Sequence, residues 1–262
     1  MTAPGAPIVV KLGGCLLEDE GARGAALSAL AQGSRTGDGF VLVHGGGKRI
    51  DAALAARGIP KRVHEGLRIT DAPTLEIAVS VLRAVNRDVV DELRDRGAAA
   101  AGLSGLDAGA VRAVLHPRVS GVDLGRVGVV ASVDARVFEA MLSAGVLPVL
   151  APLAAGPDGA PLNVNADAVA AAVAVALRAR RLIFLTDVEG VSNEGGRLLE
   201  DLNPAATRRL LESPAVWGGM RPKLAACLEA AAAGVAEVVI AGPRRQQQAL
   251  AGGRGGTRVF RT

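Results

Sequence analysis

Short, nearly unbroken apolar runs separated by long Ala/Leu-rich stretches constrain this chain more than any other feature. The runs fall at 8–12, 40–44, 98–103, 146–150, 182–186 and 235–241. A strand wetted on one face alternates apolar and polar residues, whereas a strand covered on both faces does not, so these runs predict parallel strands buried between layers. The intervening stretches predict helices over 20–32, 48–57, 72–96, 134–144, 166–180, 204–211 and 222–233. Pro204 and Pro222 fall where a helix start tolerates proline. This alternation predicts an α/β chain, a three-layer α/β/α sandwich around a mainly parallel open sheet. The stretch 112–133 breaks the rhythm with Gly121, Gly125 and Gly128 among β-branched residues, and reads as hairpins capping one end of the sheet. A smaller hairpin is expected at 195–199. The break near 153–159 predicts an N-terminal lobe, residues 1–153, and a C-terminal lobe, residues 154–262.

At 262 residues, 50% hydrophobic and 21% charged, the chain can bury a large core. No apolar run approaches the roughly 18 residues that span a bilayer. The first seven residues lack the charged and apolar regions of a signal peptide. Cys15 and Cys227 make no disulfide framework, and His44, His64 and His116 have no zinc spacing, so no metal ligand from protein side chains is predicted. A cytoplasmic location is the expectation. The formal charge of +4 suggests anionic partners, but aromatics are 2% of residues with no tyrosine, so the stacking surfaces of a nucleic-acid binder are scarce. A basic surface equally suits an anionic substrate or an acidic protein. Of the 30 basic residues only Lys11, Lys48, Lys61 and Lys223 are lysine. Lysine is a compact point charge and arginine a planar fork, so the scarce lysines mark positions where the point charge matters.

Two of the four lie in glycine-rich motifs. Lys11 ends the first apolar run and is followed by Gly13 and Gly14; ligands of open α/β sheets gather beyond the carboxyl ends of strands. Gly45, Gly46 and Gly47 follow the second run and lead into a helix, which makes an anion cradle or a plain flexible turn. Neither loop has the spacing of the dinucleotide fingerprint or of the phosphate-binding P-loop. Arg68 sits in a loop before a long helix with Asp71 as its N-cap, and can take a carboxylate through two parallel hydrogen bonds or stand as a solvated surface residue. Leu162-Asn163-Val164-Asn165-Ala166-Asp167 is polar at alternate positions and enters an apolar helix, so Asn165 or Asp167 is either a cap or a functional group. The segment 185–191 follows a buried run, and Gly218-Gly219-Met220-Arg221-Pro222-Lys223 is a further glycine loop ending in a lysine. Ser104 lacks the nucleophile-elbow context, and Cys15 reads as a packed bystander.

Taken in order, VVKLGG, LVHGGG, GLRITD, LNVNAD, LTDVEGV and GGMRPK resemble the amino acid kinase family, and within it the group that phosphorylates N-acetyl-L-glutamate. The resemblance runs over nearly the whole chain. It implies that the N-terminal lobe binds the acetylated amino acid and the C-terminal lobe binds ATP with Mg²⁺. It implies that Lys11 and Lys223 stabilise charge on the transferring phosphoryl group and that Asp167 organises both. Gly45, Gly46, Arg68 and Asn163 correspond to acetylglutamate-binding residues. Gly13 and Gly14, with Asp187, Val188, Glu189, Gly190, Val191 and Ser192, and also Val216 and Trp217, correspond to the nucleotide-binding set. Arginine-inhibited members carry an extra N-terminal helix that joins dimers into hexamers, and only seven residues precede the first run here. The implied assembly is therefore an arginine-insensitive homodimer, with the long helix at 72–96 near its interface.

Two other readings fit parts of the pattern. One is the related kinase whose acceptor is 2-aminoadipate or glutamate attached to an acidic carrier protein, which the basic charge suits. The compact Gly66-Leu67-Arg68 argues for the free acetylated acceptor. The other is a non-catalytic amino-acid sensor, against which the joint presence of Lys11, Asp167 and Lys223 weighs.

Overall fold

The structure, a computed structural model, describes residues 5–193, 195–213 and 220–260. The chain begins β1 (Ile8–Leu12), α1 (Gly14–Glu18), α2 (Glu20–Arg35), β2 (Phe40–His44), α3 (Gly47–Ala56), the two-residue strands β3 (Val63–His64) and β4 (Leu67–Arg68), α4 (Ala72–Asp95) and β5 (Ala100–Ser104). It continues with β6 (Val111–Leu115), β7 (Val127–Val133), α5 (Ala135–Ser143), β8 (Leu147–Ala151), β9 (Leu153–Ala155) and β10 (Pro161–Val164). The last part holds α6 (Ala166–Ala176), β11 (Arg181–Leu185), β12 (Val191–Ser192), β13 (Leu198–Leu199), β14 (Asp201–Leu202), α7 (Pro204–Glu212), α8 (Met220–Ala232), β15 (Glu237–Ala241), α9 (Gln246–Leu250) and β16 (Thr257–Phe260).

The six apolar runs all become strands of one eight-stranded sheet, in the order β14-β16-β15-β11-β1-β2-β8-β5. Its pairings are parallel except for β15 with β16. Since neighbours along a strand point to opposite faces, the residues of β1 divide between two layers. Ile8, Val10 and Leu12 pack with Leu27 and Leu30 of α2, Val89 of α4 and Leu250 of α9. Val9 packs on the other side with Val173 of α6, Phe138 of α5 and Leu224 of α8. Lys11 shares the parity of Val9 and so emerges toward α6 and α8. By the same alternation His44, at the end of β2, faces α4.

The hairpin expected over 112–133 is β6 with β7, paired antiparallel from Val111↔Val133 to Leu115↔Gly128. β9 and β10 close it into a four-stranded barrel. The residues around 153–159 form the β9–β10 hairpin, and the chain on both sides of it feeds the same sheet, with β1 between β2 and β11. The helix expected over 166–180 stops at Ala176, because Leu177 caps it and Arg178 turns to a positive φ of 47°. The small hairpin is wider than 195–199, pairing Val191 with Leu199 and Ser192 with Leu198.

Candidate active site

At the carboxyl end of β1 the first turn is built by close backbone approach. The Gly13 amide donates to the Leu185 carbonyl at 2.8 Å, and a Cβ on Gly13 would lie 2.8 Å from that oxygen. The second glycine loop crosses it: a Cβ on Gly45 would lie 2.9 Å from the Gly14 nitrogen. Only glycine permits this contact, which brings two chain reversals and the N-terminus of α3 together.

Beside them α6 begins. Asn165 is its N-cap, its Oδ1 accepting from the amides of Asp167 at 2.7 Å and Ala168 at 3.3 Å. Of the two polar residues left open in the sequence, the cap is therefore Asn165, which frees the carboxylate of Asp167. That carboxylate meets both scarce lysines. Lys11 Nζ lies 2.8 Å from Oδ1, and Lys223 Nζ donates to Oδ2 at 3.1 Å and to Oδ1 at 3.2 Å. All three residues are buried, at 8%, 7% and 5% exposure for Lys11, Asp167 and Lys223. Lys223 also lies over the Phe184 ring, 5.3 Å from its centroid. Burial works to raise the Asp167 pKa, but the Lys11 and Lys223 ammonium groups outweigh it, and the carboxyl stays below its ordinary value. Burial lowers the Lys11 pKa; Asp167 offsets this only in part, and Lys223 adds repulsion. Two cations around one anion leave a net positive charge in a site sheltered from water, where it acts most strongly on an arriving anion.

Lys11 and Asp167 line a cavity of about 340 Å³ together with Gly14, Gly45, Gly46, Arg68 and Asn163. Arg68 reaches it from β4. Its Nη2 donates to the Gly47 carbonyl at 3.2 Å and pairs with Asp51 at 2.5 Å, while Nη1 is buried without a hydrogen-bond partner. Asn163 in β10 donates through Nδ2 to the Thr70 hydroxyl at 3.2 Å, and that hydroxyl donates to the Arg68 carbonyl at 2.8 Å. Asp71 caps α4, accepting from the Thr74 amide at 3.1 Å. Asp187 to Ser192 follow β11 outside this cavity. Asp187 accepts from the Thr186 hydroxyl at 3.0 Å. Burial raises the Asp187 pKa, but the Cys15 thiol, the Thr186 hydroxyl and nearby Lys223 leave it lowered. Cys15 lines the cavity. Glu189 accepts from the Arg244 amide at 3.3 Å, Gly190 packs on Thr257, and the Val191 amide donates to the Thr257 hydroxyl at 2.7 Å. Val216 and Trp217, with Gly218 and Gly219, lie outside the described residues.

Sequence reasoning passed over three groups. Lys48 lines the cavity, and its rarity as a lysine was the available signal. Asp51 stands one helical turn after Gly47 and carried no motif. His44 is fully buried and donates or accepts at both ring nitrogens: Nδ1 with the Gly45 carbonyl at 2.7 Å, Nε2 with Asn86 Nδ2 at 3.1 Å. Asn86 also donates to the Val149 carbonyl at 2.8 Å. An amide nitrogen is only a donor, so Nε2 accepts and Nδ1 carries the proton. Burial lowers the His44 pKa to about 4, which keeps the ring neutral.

A parallel α/β sheet whose strand ends gather two ammonium groups, two glycine loops and the N-termini of α3 and α6 is a site for bringing anions together, as a phosphotransferase must. The chain belongs to the amino acid kinase family, whose profile matches residues 6–242. It is 42% identical over 255 residues to the acetylglutamate kinase of Rubrobacter xylanophilus, covering 96% of each chain. It is 40% identical over 245 residues to that of Symbiobacterium thermophilum, covering 90% of this chain and 84% of the relative. Among solved structures, N-acetylglutamate synthase from Neisseria gonorrhoeae, complexed with coenzyme A and N-acetyl-glutamate, superposes with a TM-score of 0.87 at 26% identity. That match covers 98% of this chain and 60% of the synthase.

Proposed function

We infer that this chain is an ATP-dependent kinase that phosphorylates the side-chain carboxylate of N-acetyl-L-glutamate, yielding N-acetyl-L-glutamyl 5-phosphate for arginine biosynthesis. The buried Lys11–Asp167–Lys223 cluster beside the cavity carries the reading. The names of the relatives support the acceptor, and they favour the free acetylated acid over a carrier-linked one and a kinase over a sensor.

A carboxylate with an ordinary pKa near 4.3 is already ionised at neutral pH, so the acceptor needs no general base. What opposes reaction is the approach of one anion to another and the charge of a loose phosphoryl transition state. In this reading Lys11 and Lys223 spread that charge, and Asp167 holds them at a fixed spacing. Gly45 and Gly46 offer backbone amides, Arg68 takes the α-carboxylate, and Asn163 helps orient the acyl group. The side-chain carboxylate then faces the γ-phosphate. Gly13, Gly14 and the segment from Asp187 to Ser192, with Val216 and Trp217, serve the nucleotide. Among the described residues no cluster of three or more His, Cys, Asp or Glu could cage a metal. The donor set suits Mg²⁺ arriving on the nucleotide phosphates, where it supplies further charge neutralisation.

The main division of labour is acceptor binding in residues 1–153 and ATP binding in residues 154–262, with Asn163 reaching across to the acceptor and Gly13 and Gly14 to the nucleotide. The working form is a homodimer with α4 near the interface, in the cytoplasm; no described helix is long and apolar enough to cross a membrane. Light scattering that returns a monomer mass would remove the dimer. The function itself is tested by trapping the acyl phosphate as a hydroxamate with ATP and N-acetylglutamate, beside glutamate and 2-aminoadipate. Product with N-acetylglutamate well above the other two is expected, and equal or absent product would sink the reading.

A further inference from the structure

Among the described residues Arg68 is the one guanidinium lining the cavity, and α3 holds it by two groups on one helical face. Its Nη2 sits between the Gly47 carbonyl at 3.2 Å and the Asp51 carboxylate at 2.5 Å, four residues apart. Residues at that spacing lie one above the other on a helix, so they form a socket that the first turn of α3 supplies ready-made. Asp51 has a second hold. Its Oδ2 accepts from Lys61 Nζ at 2.7 Å. Lys61 precedes β3 and Arg68 lies in β4, so one carboxylate ties both ends of the β3–β4 hairpin to α3. The hairpin needs that support. Its strands are two residues each, and Val63 is 48% exposed. Arg68 itself is 12% exposed at its side chain, so it is a sheltered group held in place, not a mobile surface arginine.

The donor inventory makes this pairing meaningful. A guanidinium has five N–H donors in a rigid plane, and the pair fixes that plane by one corner. Nη1 stays buried with no partner, a donor left over in the cluster next to the cavity. Asp51 also counters part of the Arg68 charge, so it is free to orient the arginine while an arriving carboxylate supplies the missing acceptor.

Resting on the acetylglutamate reading, we propose that Asp51 is a positioning residue which sets Arg68 for the substrate α-carboxylate and thereby enforces selection of α-carboxylate over α-carboxamide acceptors. Asp51 does not touch the reacting atoms; it acts through the arginine.

The test is steady-state kinetics of the full chain with N-acetylglutamate and with its α-carboxamide analogue, N-acetylisoglutamine, in wild type, Asp51→Asn and Asp51→Glu. Asp51→Asn is expected to raise KM for N-acetylglutamate about tenfold, with kcat and KM for ATP within about twofold. It is expected to shrink the preference for carboxylate over carboxamide by a similar factor, and Asp51→Glu is expected to recover part of both. The preference is a ratio measured on the same protein, so a partial loss of folded enzyme leaves it unmoved. An unchanged KM and unchanged preference in Asp51→Asn, while wild type turns over N-acetylglutamate, would overturn the proposal alone. A fall in kcat with KM unmoved would overturn it too, by assigning Asp51 to the chemical step. No turnover of N-acetylglutamate by wild type defeats the functional reading first.

Discussion

The two ends of the sheet make an instructive pair. At the amino ends of β2 and β8 the surface encloses a cavity of about 690 Å³, lined by Ser34, Thr36, Asp38, Gly39, Ser143 and Gly145 among others. At the carboxyl ends the cavity is about 340 Å³. The larger space holds less chemistry. Its single charged side chain among the described residues, Asp38, is already paired with Arg180, and both are well exposed, so the pair is screened and contributes little. The smaller space gathers Lys11, Lys48, Arg68 and Asp167 where strand ends, glycine loops and helix N-termini converge. Volume is therefore a poor guide here; the direction of the strands decides where charge can be concentrated.

The contrast breaks most readily at the lysines. Lys11→Ala or Lys223→Ala is expected to lower kcat about a hundred- to thousandfold with folding retained, checked by single-turnover phosphoryl transfer beside circular dichroism. Near-normal turnover in either would move the chemistry away from this end of the sheet. The next effect is on stability. His44 is neutral when folded, with a pKa near 4 against 6.5 in the unfolded chain. The unfolded state thus binds the extra proton first, and the contribution present above pH 6.5 is lost as pH falls toward 4, on the order of 3 kcal/mol. Urea unfolding of wild type and His44→Asn at pH 7 and 4.5 reads it, and an equal slope in both proteins would assign the acid sensitivity elsewhere.

Backbone approach comes next. Gly45→Ala places a methyl 2.9 Å from the Gly14 nitrogen, so the two loops must part. A loss of about a hundredfold in kcat/KM is expected, since small misplacements of reacting groups are costly. The smallest effect belongs to the other end. Ser143→Leu, which fills part of the large cavity, is expected to leave kcat/KM within about twofold; a tenfold loss would show that the amino end communicates with the chemistry.

How far the sequence could be read depends on the range of the interactions involved. β1 and β2 were legible to the residue because double-sided burial writes itself into every position of a short run. The end of α6 was not, because the apolar sequence continues past Ala176 and the stop is a backbone turn at Arg178 rather than a glycine or proline. β16 also escaped: a four-residue strand between β14 and β15, half-buried at alternate positions, it lacks a distinctive apolar run. The lysines and glycine loops stood out by rarity and by motif. Asp51 and His44 did not, because their partners Arg68 and Asn86 are 17 and 42 residues away in the chain and meet them only once the fold is formed.

The two-residue alternation along β1 has a genetic corollary. Deleting one residue between Ile8 and Lys11 would slide the ammonium group to the opposite layer, into the apolar cluster that holds Leu27 and Leu30. The same slip would turn a neighbouring aliphatic side chain onto Asp167. The register of this five-residue strand is consequently as heritable a part of the chemistry as the lysine itself.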